Sequence, residues 1–391
     1  MITVENADKV LKDYYLDAIS SQLNDHISPF YSAIEKNTNN VVGKDVSLTV
    51  IRENARGITA CSEDGDLPAP YKNRYLNITV PLKNLYGTIE ISDKALRASR
   101  DKSGAFVNLL DAEMEGLVQS AKQDFRRMLF GDGTGVLFKI ENSSGSNAYS
   151  VDHADLNLVG KCVDIYPSAA PGMHNDVLTA YIVDIDPSGR TVTFDRDLNE
   201  FTMGATVMGA TAYAHDGKDG ELTGLAALFD NDTVYGYDKF KETYFKPYIA
   251  NANGPVNEEA LCDVIDYLDE NFNSTVNIII CSYKTKKKIA AFVADKKHIV
   301  NSIDVHTGVG TVTVNGITVY ADKFCPDDRI YFLNTDDFSL NQLCDWEWLE
   351  DEGGKILKQV PGKAAYRATL VKYAELICKK PCGQGMLMIS V

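Results

Sequence analysis

The chain has 391 residues, a net charge of −16, and hydrophobic and charged fractions of 45% and 24%. That length can bury the cores of two or three domains, and those fractions are ordinary for a soluble globular protein. The acidic balance disfavours a nucleic-acid binder that works through a broad basic surface.

Residues 1–20 show no basic start followed by an apolar core, so no secretory signal is read there. No apolar run approaches membrane-spanning length, so no membrane association is expected. An apolar helical pattern over residues 4–35, at Val10, Leu11, Tyr14, Tyr15, Ala18, Ile19 and Leu23, is broken by Pro29. It reads as an N-terminal arm that needs a partner surface to cover its apolar side.

Residues 46–51 alternate as a strand. Residues 53–75 are polar and rich in turn formers, including Asn54, Gly57, Gly65, Pro68 and Pro70. Strand character resumes at 76–82 and again at 88–91. A strand out, a polar tip and a strand back predict a long hairpin arm with little core of its own. A plain surface loop is the alternative reading.

Residues 103–130 then carry apolar side chains at Phe106, Leu109, Leu110, Met114, Leu117, Val118, Ala121, Phe125, Met128 and Leu129. The spacings of three and four make one stripe on a helix. Ser103 is the candidate N-cap and Gly131 the stop. Asp111, Glu113 and Glu115 lie in its first half, and Lys122, Arg126 and Arg127 near its end, as the helix dipole favours. Such a helix is roughly 40 Å long, a structural spine.

Gly131-Asp132-Gly133-Thr134-Gly135 opens what reads as a linker to about residue 157. Residues 158–220 look β-rich, with short strands near 161–166 and 206–212. Strands at 177–186 and 191–195 flank the turn Pro187-Ser188-Gly189-Arg190. This is read as an insertion forming a small sheet or barrel. Beyond it lie an amphipathic helix at 257–272, a buried strand at 276–281 and a helix at 284–295. A hairpin turning at Asn315-Gly316 follows, then strands at 329–333 and 365–378. The fold class is α+β.

Candidate chemistry is sparse. The glycine run at 131–135 follows a helix and lacks the lysine of a phosphate loop. The histidines (His26, His153, His174, His215, His298 and His306) form no metal-type pair. Asp152-His153 with Asp155 reads as a solvated turn, and Asp184, Asp186, Asp195 and Asp197 as charged hairpin ends without calcium-loop spacing. Eight cysteines, at 61, 162, 262, 281, 325, 344, 378 and 382, include no CxxC pair. They read as ordinary thiols in a reduced, cytoplasmic setting. Lys284, Lys286, Lys287 and Lys288 are the only basic cluster, either a solvated face or a contact for nucleic acid or an acidic neighbour. No nucleophile motif appears, so no catalytic residue, cofactor or metal site is assigned.

The order of arm, extended hairpin, spine helix and mixed domain with a long final strand resembles the major capsid protein of tailed bacteriophages, the Hong Kong 97 fold. The stretch Leu82-Lys83-Asn84-Leu85-Tyr86-Gly87-Thr88-Ile89-Glu90-Ile91-Ser92 carries the likeness, followed by the helix ending at Phe130-Gly131-Asp132-Gly133. Phe229-Asp230-Asn231-Asp232-Thr233-Val234-Tyr235-Gly236 and the stretch opening at Tyr373-Ala374-Glu375-Leu376 add to it. The resemblance implies an N-terminal arm (1–44), an extended loop with flanking strands (45–92), and a peripheral domain with the spine (93–157). It further implies a β-rich insertion (158–221), an axial domain (222–335) and returning strands (336–391).

It also implies a non-enzymatic subunit that self-assembles into hexamers and pentamers of an icosahedral shell. Its expected partners are a separate scaffolding protein, a portal, decoration proteins and packaged double-stranded DNA bound without sequence specificity. Its expected location is the virion, after assembly in the host cytoplasm. An encapsulin-type compartment shell is the alternative within the fold, and a cytoplasmic enzyme with an accessory β-module the alternative outside it. Some relatives cross-link a loop lysine to a neighbour's asparagine; Lys72 lies in the corresponding arm, without an alignable asparagine.

Overall fold

The computed structural model describes residues 28–54, 57–58, 60–62, 71–94, 103–145, 147–166, 177–198, 209–252, 254–296, 312–350 and 356–390. The helical pattern at 10–23, most of the arm's tip, and His26, His174, His298 and His306 lie outside them. Among the described residues no helix is long and apolar enough to cross a membrane.

The first unit is a sheet laid against the spine. Ser28 caps a short helix α1 (Pro29–Ala33), accepting from the Tyr31 N–H at 3.1 Å, with Pro29 in its first turn. It buries Phe30 and Tyr31. Phe30 meets Phe338 edge-on at 5.2 Å, and Tyr31 meets Phe125 at 5.4 Å. Strands β1 (Glu35–Asn37) and β2 (Val41–Val42) lead to the hairpin β3 (Asp45–Glu53) and β4 (Arg74–Pro81), paired from Asp45–Pro81 out to Glu53–Arg74. Strand β5 (Lys83–Ser92) follows after Leu82, and the spine α2 spans Ser103–Phe130 as expected. Met114, Val118, Phe125 and Leu129 are buried while Glu113 and Glu115 are exposed, which is the stripe read from the sequence.

The insertion is a closed barrel of six strands: β6 (Val136–Ser143), β7 (Ala148–Val151), β8 (Cys162–Tyr166), β9 (Leu178–Asp186), β10 (Thr191–Phe194) and β11 (Thr211–Ala214). Its order is β10-β7-β6-β11-β8-β9, and it has a core of its own around Phe138, Tyr149, Val163, Ile182 and Phe194. This corrects the boundary at 158. Residues 131–157 supply two barrel strands, and the polar stretch taken for a linker contains the turn between them. Entry and exit lie side by side, with the Asp219 N–H donating to the Thr134 carbonyl at 2.8 Å. The barrel is therefore hung from two adjacent chain crossings.

After it come α3 (Leu225–Asp230), the ribbon β12 (Thr233–Val234) and β13 (Tyr237–Asp238), β14 (Tyr248–Asn251) and helix α4 (Glu258–Phe272). Strand β15 (Ile278–Cys281), helix α5 (Tyr283–Lys296), β16 (Val312–Val314), β17 (Ile317–Ala321) and β18 (Arg329–Leu333) complete this stretch. Asn257 caps α4, accepting from the Ala260 N–H at 2.7 Å. Asn315 and Gly316 both have positive φ, as the tight turn between β16 and β17 requires.

The chain returns through β19 (Phe338–Trp348), β20 (Lys358–Gln359) and β21 (Ala365–Cys378), then ends on β22 (Gly385–Met388). A five-stranded sheet orders β1-β19-β21-β20, with β5 also paired to β21. A six-stranded sheet orders β14-β22-β18-β15-β17-β16. On β15 the side chains alternate. Ile278 and Ile280 join the core shared with the spine; Ile279 and Cys281 join the core under α4 and α5. The second sheet is thus the middle of three layers.

Candidate assembly interface

The hairpin β3–β4 buries one face at its base and leaves the other bare. Val46, Val50, Ile78 and Val80 turn into the main core, whereas Ser47, Thr49, Asn77 and Thr79 are exposed. Two polar ties hold the base: Tyr237 Oη donates to the Asn77 carbonyl at 2.8 Å, and Arg52 lies 3.0 Å from Glu242. Apolar side chains of the ribbon and beyond it lie open to solvent among the described residues. Ile58 is 99% exposed, and Ile51, Tyr71 and Tyr75 are exposed as well. A two-stranded ribbon is marginal alone, so apolar groups along it call for cover from another molecule. Lys72 is exposed near this tip.

At the foot of the arm an open groove of about 740 Å³ is lined by Arg52, Phe240, Tyr244, Tyr248 and Tyr267. Lys239 is buried on its wall and donates to the Ala227 carbonyl at 3.4 Å. Burial pushes its pKa down to about 8, against the opposing pull of Asp230 and Asp232.

The last turns of the spine clamp the other units. Arg126 Nε reaches both oxygens of Asp322, at 3.0 and 2.8 Å, and that carboxylate is buried after β17. Arg127 forks onto Glu221 at the barrel's exit, with Nη1 at 2.9 Å from Oε2. Asp124 holds Lys161, on the barrel, at 2.7 Å. Burial opposes the Arg127 charge, but Glu221 and Asp124 outweigh it and hold the guanidinium above its ordinary value. Bidentate pairing fixes orientation as well as distance, so the Arg127–Glu221 fork sets the barrel, and the Arg126–Asp322 contact the six-stranded sheet, against one helix end.

Two ionisable groups lie inside the first sheet. Lys372 on β21 is fully buried and donates to Gln342 Oε1 at 2.8 Å and Asp345 Oδ1 at 2.6 Å. Burial lowers its pKa and Asp345 resists. Glu375, also on β21, accepts at Oε1 from the Thr223 N–H at 2.7 Å and the Leu376 N–H at 3.0 Å. Its Oε2 is buried without a partner, and burial lifts the carboxyl to about 7.

Among the described residues, those singled out in the sequence are not gathered into a site. Asp152 accepts from the Lys139 N–H at 2.7 Å and Asp155 from the Asn157 N–H at 3.1 Å, while His153 is exposed. Asp184, Asp186, Asp195 and Asp197 each accept a different donor. The glycine run closes the spine, with Asp132 accepting from the Thr134 N–H at 3.0 Å. Cys378 and Cys382 are buried thiols, the latter pushed up to about 11 by burial. One cluster escaped the sequence because its members lie far apart in the chain: Asp164, His215 and Asp216 at the barrel's mouth. Asp164 accepts from Thr179 Oγ1, the Asp216 N–H and the His215 ring at 2.8 to 2.9 Å. Its carboxylate is satisfied by these donors, and the cluster ties β8 to the barrel's exit.

No protein-family profile matches this sequence, nor does any curated protein. Solved structures do match. A chain of the cyanophage A-1(L) capsid asymmetric unit aligns over 92% of this chain and 92% of its own length, at 10% identity and a TM-score of 0.54. The capsid of a native GTA particle aligns over 95% and 91%, at 9% identity and a TM-score of 0.48. An encapsulin complex of Synechococcus elongatus aligns over 93% and 88%, at 9% identity and a TM-score of 0.44. The first of these, with the extended hairpin, spine helix and two sheets in the same chain, settles the architecture: the chain has the Hong Kong 97-type capsid fold.

Proposed function

We propose that this chain is the major capsid protein of a tailed bacteriophage and self-assembles into the icosahedral shell around its genome. The observation that carries the reading is the β3–β4 ribbon, rooted in the core at its base and exposed in its apolar side chains beyond Glu53. Such a strap gains its burial on neighbouring subunits, and repeated head-to-tail contacts close into a shell when their rotations close. The spine with its five-stranded sheet is then the peripheral domain, and the six-stranded sheet with α4 and α5 the axial domain. The role is structural rather than catalytic. A separate scaffolding protein, a portal and decoration proteins are the expected partners, the barrel offering the extra surface. A net charge of −16 limits tight binding of packaged DNA to the wall.

Electron microscopy of the purified chain, alone and with its scaffold, tests this. Closed particles or capsomer rings are expected, and a monomer under every condition would overturn it. Double-stranded DNA inside particles recovered from the native source identifies a virion; enzyme cargo identifies a compartment shell instead.

A further inference from the structure

Two helices on one face of the six-stranded sheet carry charge of the wrong sign at the wrong end. Helix α4 contains six carboxylates and no basic residue. Glu259, Asp263, Asp266 and Glu270, spaced four, three and four apart, form one exposed stripe opposite the buried Leu261, Val264 and Leu268. Like charges at these spacings repel along a helix. Carboxylates suit the start of a helix, but Asp269 and Glu270, the latter in this stripe, stand at the C-terminal end, where the dipole disfavours them.

Helix α5 is the mirror case. Lys284, Lys286, Lys287 and Lys288 crowd its first two turns, with no acid in the first, where the dipole disfavours cations. Among the described residues only Lys284 has an ion pair within this chain, 3.5 Å from Asp327. Exposed tyrosines accompany both faces, Tyr267 on α4 and Tyr283 on α5, and tyrosine is enriched in interface cores. Local rules broken in complementary senses, without relief among the described residues, mark surfaces shaped for something outside the subunit.

The placement of the two helices fits a second copy. Helix α4 starts near the β16–β17 turn, where Asn315 donates to Cys262 Sγ at 3.4 Å. It ends over β22, with Val264 and Leu268 against Gly385. Helix α5 packs along β16 and β17, toward the opposite edge of the same sheet.

We propose that the acidic stripe of α4 docks on the lysine-rich first turns of α5 in a neighbouring copy of this chain, head to tail, within a capsomer ring. The proposal rests on the capsid reading above. A contact between two different patches is heterologous and closes into a ring when its rotation closes, and opposite charges across it set partner and register.

The test uses the full chain in four forms: wild type, Asp266→Lys with Glu270→Lys, Lys287→Glu with Lys288→Glu, and all four changes together. Each double change follows the dipole better than the wild type, so the isolated subunit should melt at the same temperature or higher. Each should nonetheless raise the protein concentration needed for assembly by about tenfold or more at low salt, and the combined variant should recover. Zero-length carboxyl–amine cross-linking of wild-type particles built from mixed light and heavy chains should join α4 peptides to α5 peptides of another copy. Wild-type particles without such links, or doubles that assemble like wild type, would overturn the contact and leave the capsid reading standing. Loss of bound DNA with unchanged assembly in the lysine double would assign that face to nucleic acid instead. A wild-type chain that never assembles removes both readings.

Discussion

Leu117 of the spine sits directly on Gly87 of β5: a Cβ built at Gly87 would lie 2.8 Å from Leu117 Cδ1. The glycine lets the helix settle on the strand where a side chain would hold it off. Gly87→Val should therefore lift the spine and destabilise the subunit by roughly 1–3 kcal/mol. Leu117→Ala in the same background should recover part of it. Equal melting temperatures for Gly87→Val and wild type would show that the helix does not bear on this strand. Leu117→Asp should be worse, since it drives a carboxylate into the seam, whereas Glu115→Ala on the exposed side should be mild.

The Arg127–Glu221 pair predicts a different defect. Glu221 is buried and Arg127 half-buried, so removing the arginine leaves the carboxylate charged and unpaired, at about 3–5 kcal/mol. Arg127→Met should therefore unfold far more easily than Arg127→Met with Glu221→Leu, in which the surviving charge is gone as well. Because Glu221 marks the barrel's exit, the single variant should also loosen the barrel first. Hydrogen exchange would show amides in residues 136–214 losing protection ahead of those in β19 and β21. Uniform loss of protection would show that the pair does not govern the barrel's seating.

Glu375 predicts a pH dependence. Its carboxyl is lifted to about 7 in the folded chain, from an ordinary 4.5. Between these values the folded state holds a proton that the unfolded state has released. This contribution to stability is full below about pH 4.5, falls as pH rises toward 7, and is absent above it, a span of about 3 kcal/mol. Glu375→Gln keeps the Oε1 acceptor and removes the titration. It should melt higher than wild type at pH 8 and approach it at pH 5. Parallel stability curves for the two across pH 5–8 would show that Glu375 is ionised throughout.

What the sequence disclosed tracks how local the signal is. The spine was legible to its end residues because a 28-residue stripe with a glycine stop admits one period. The turns at Pro187–Arg190 and Asn315–Gly316 were legible because their residues dictate backbone conformation. Strands β6 and β7 were hidden by the polar turn joining them, although Val136-Leu137-Phe138-Lys139-Ile140 is strongly strand-like. Strand β19 was missed because Ser339, Asn341 and Gln342 are polar yet buried within it. Lys372–Gln342, Asp164–His215 and Thr223–Glu375 meet only through the topology, 30, 51 and 152 residues apart in the chain. The reversed charge of α4 and α5 was visible in part, as an unexplained lysine cluster. It became informative only once the two helices shared a face.

The arm gives the last prediction. Removing residues 54–73 and joining Glu53 to Arg74 through a tight turn keeps Val46, Val50, Ile78 and Val80 in the core, along with the Tyr237–Asn77 and Arg52–Glu242 ties. The segment removed includes Ile58 and Tyr71, both exposed. Burial stabilises in proportion to apolar area withdrawn from water, so these two side chains contribute little to the subunit's fold. They contribute to a shell only if a neighbour covers them. The shortened chain should fold, melt cooperatively near the wild-type temperature, and fail to form stable particles. Loss of cooperative melting would show that the tip belongs to the subunit's own core, and particles as stable as wild type would show that the strap binds no neighbour.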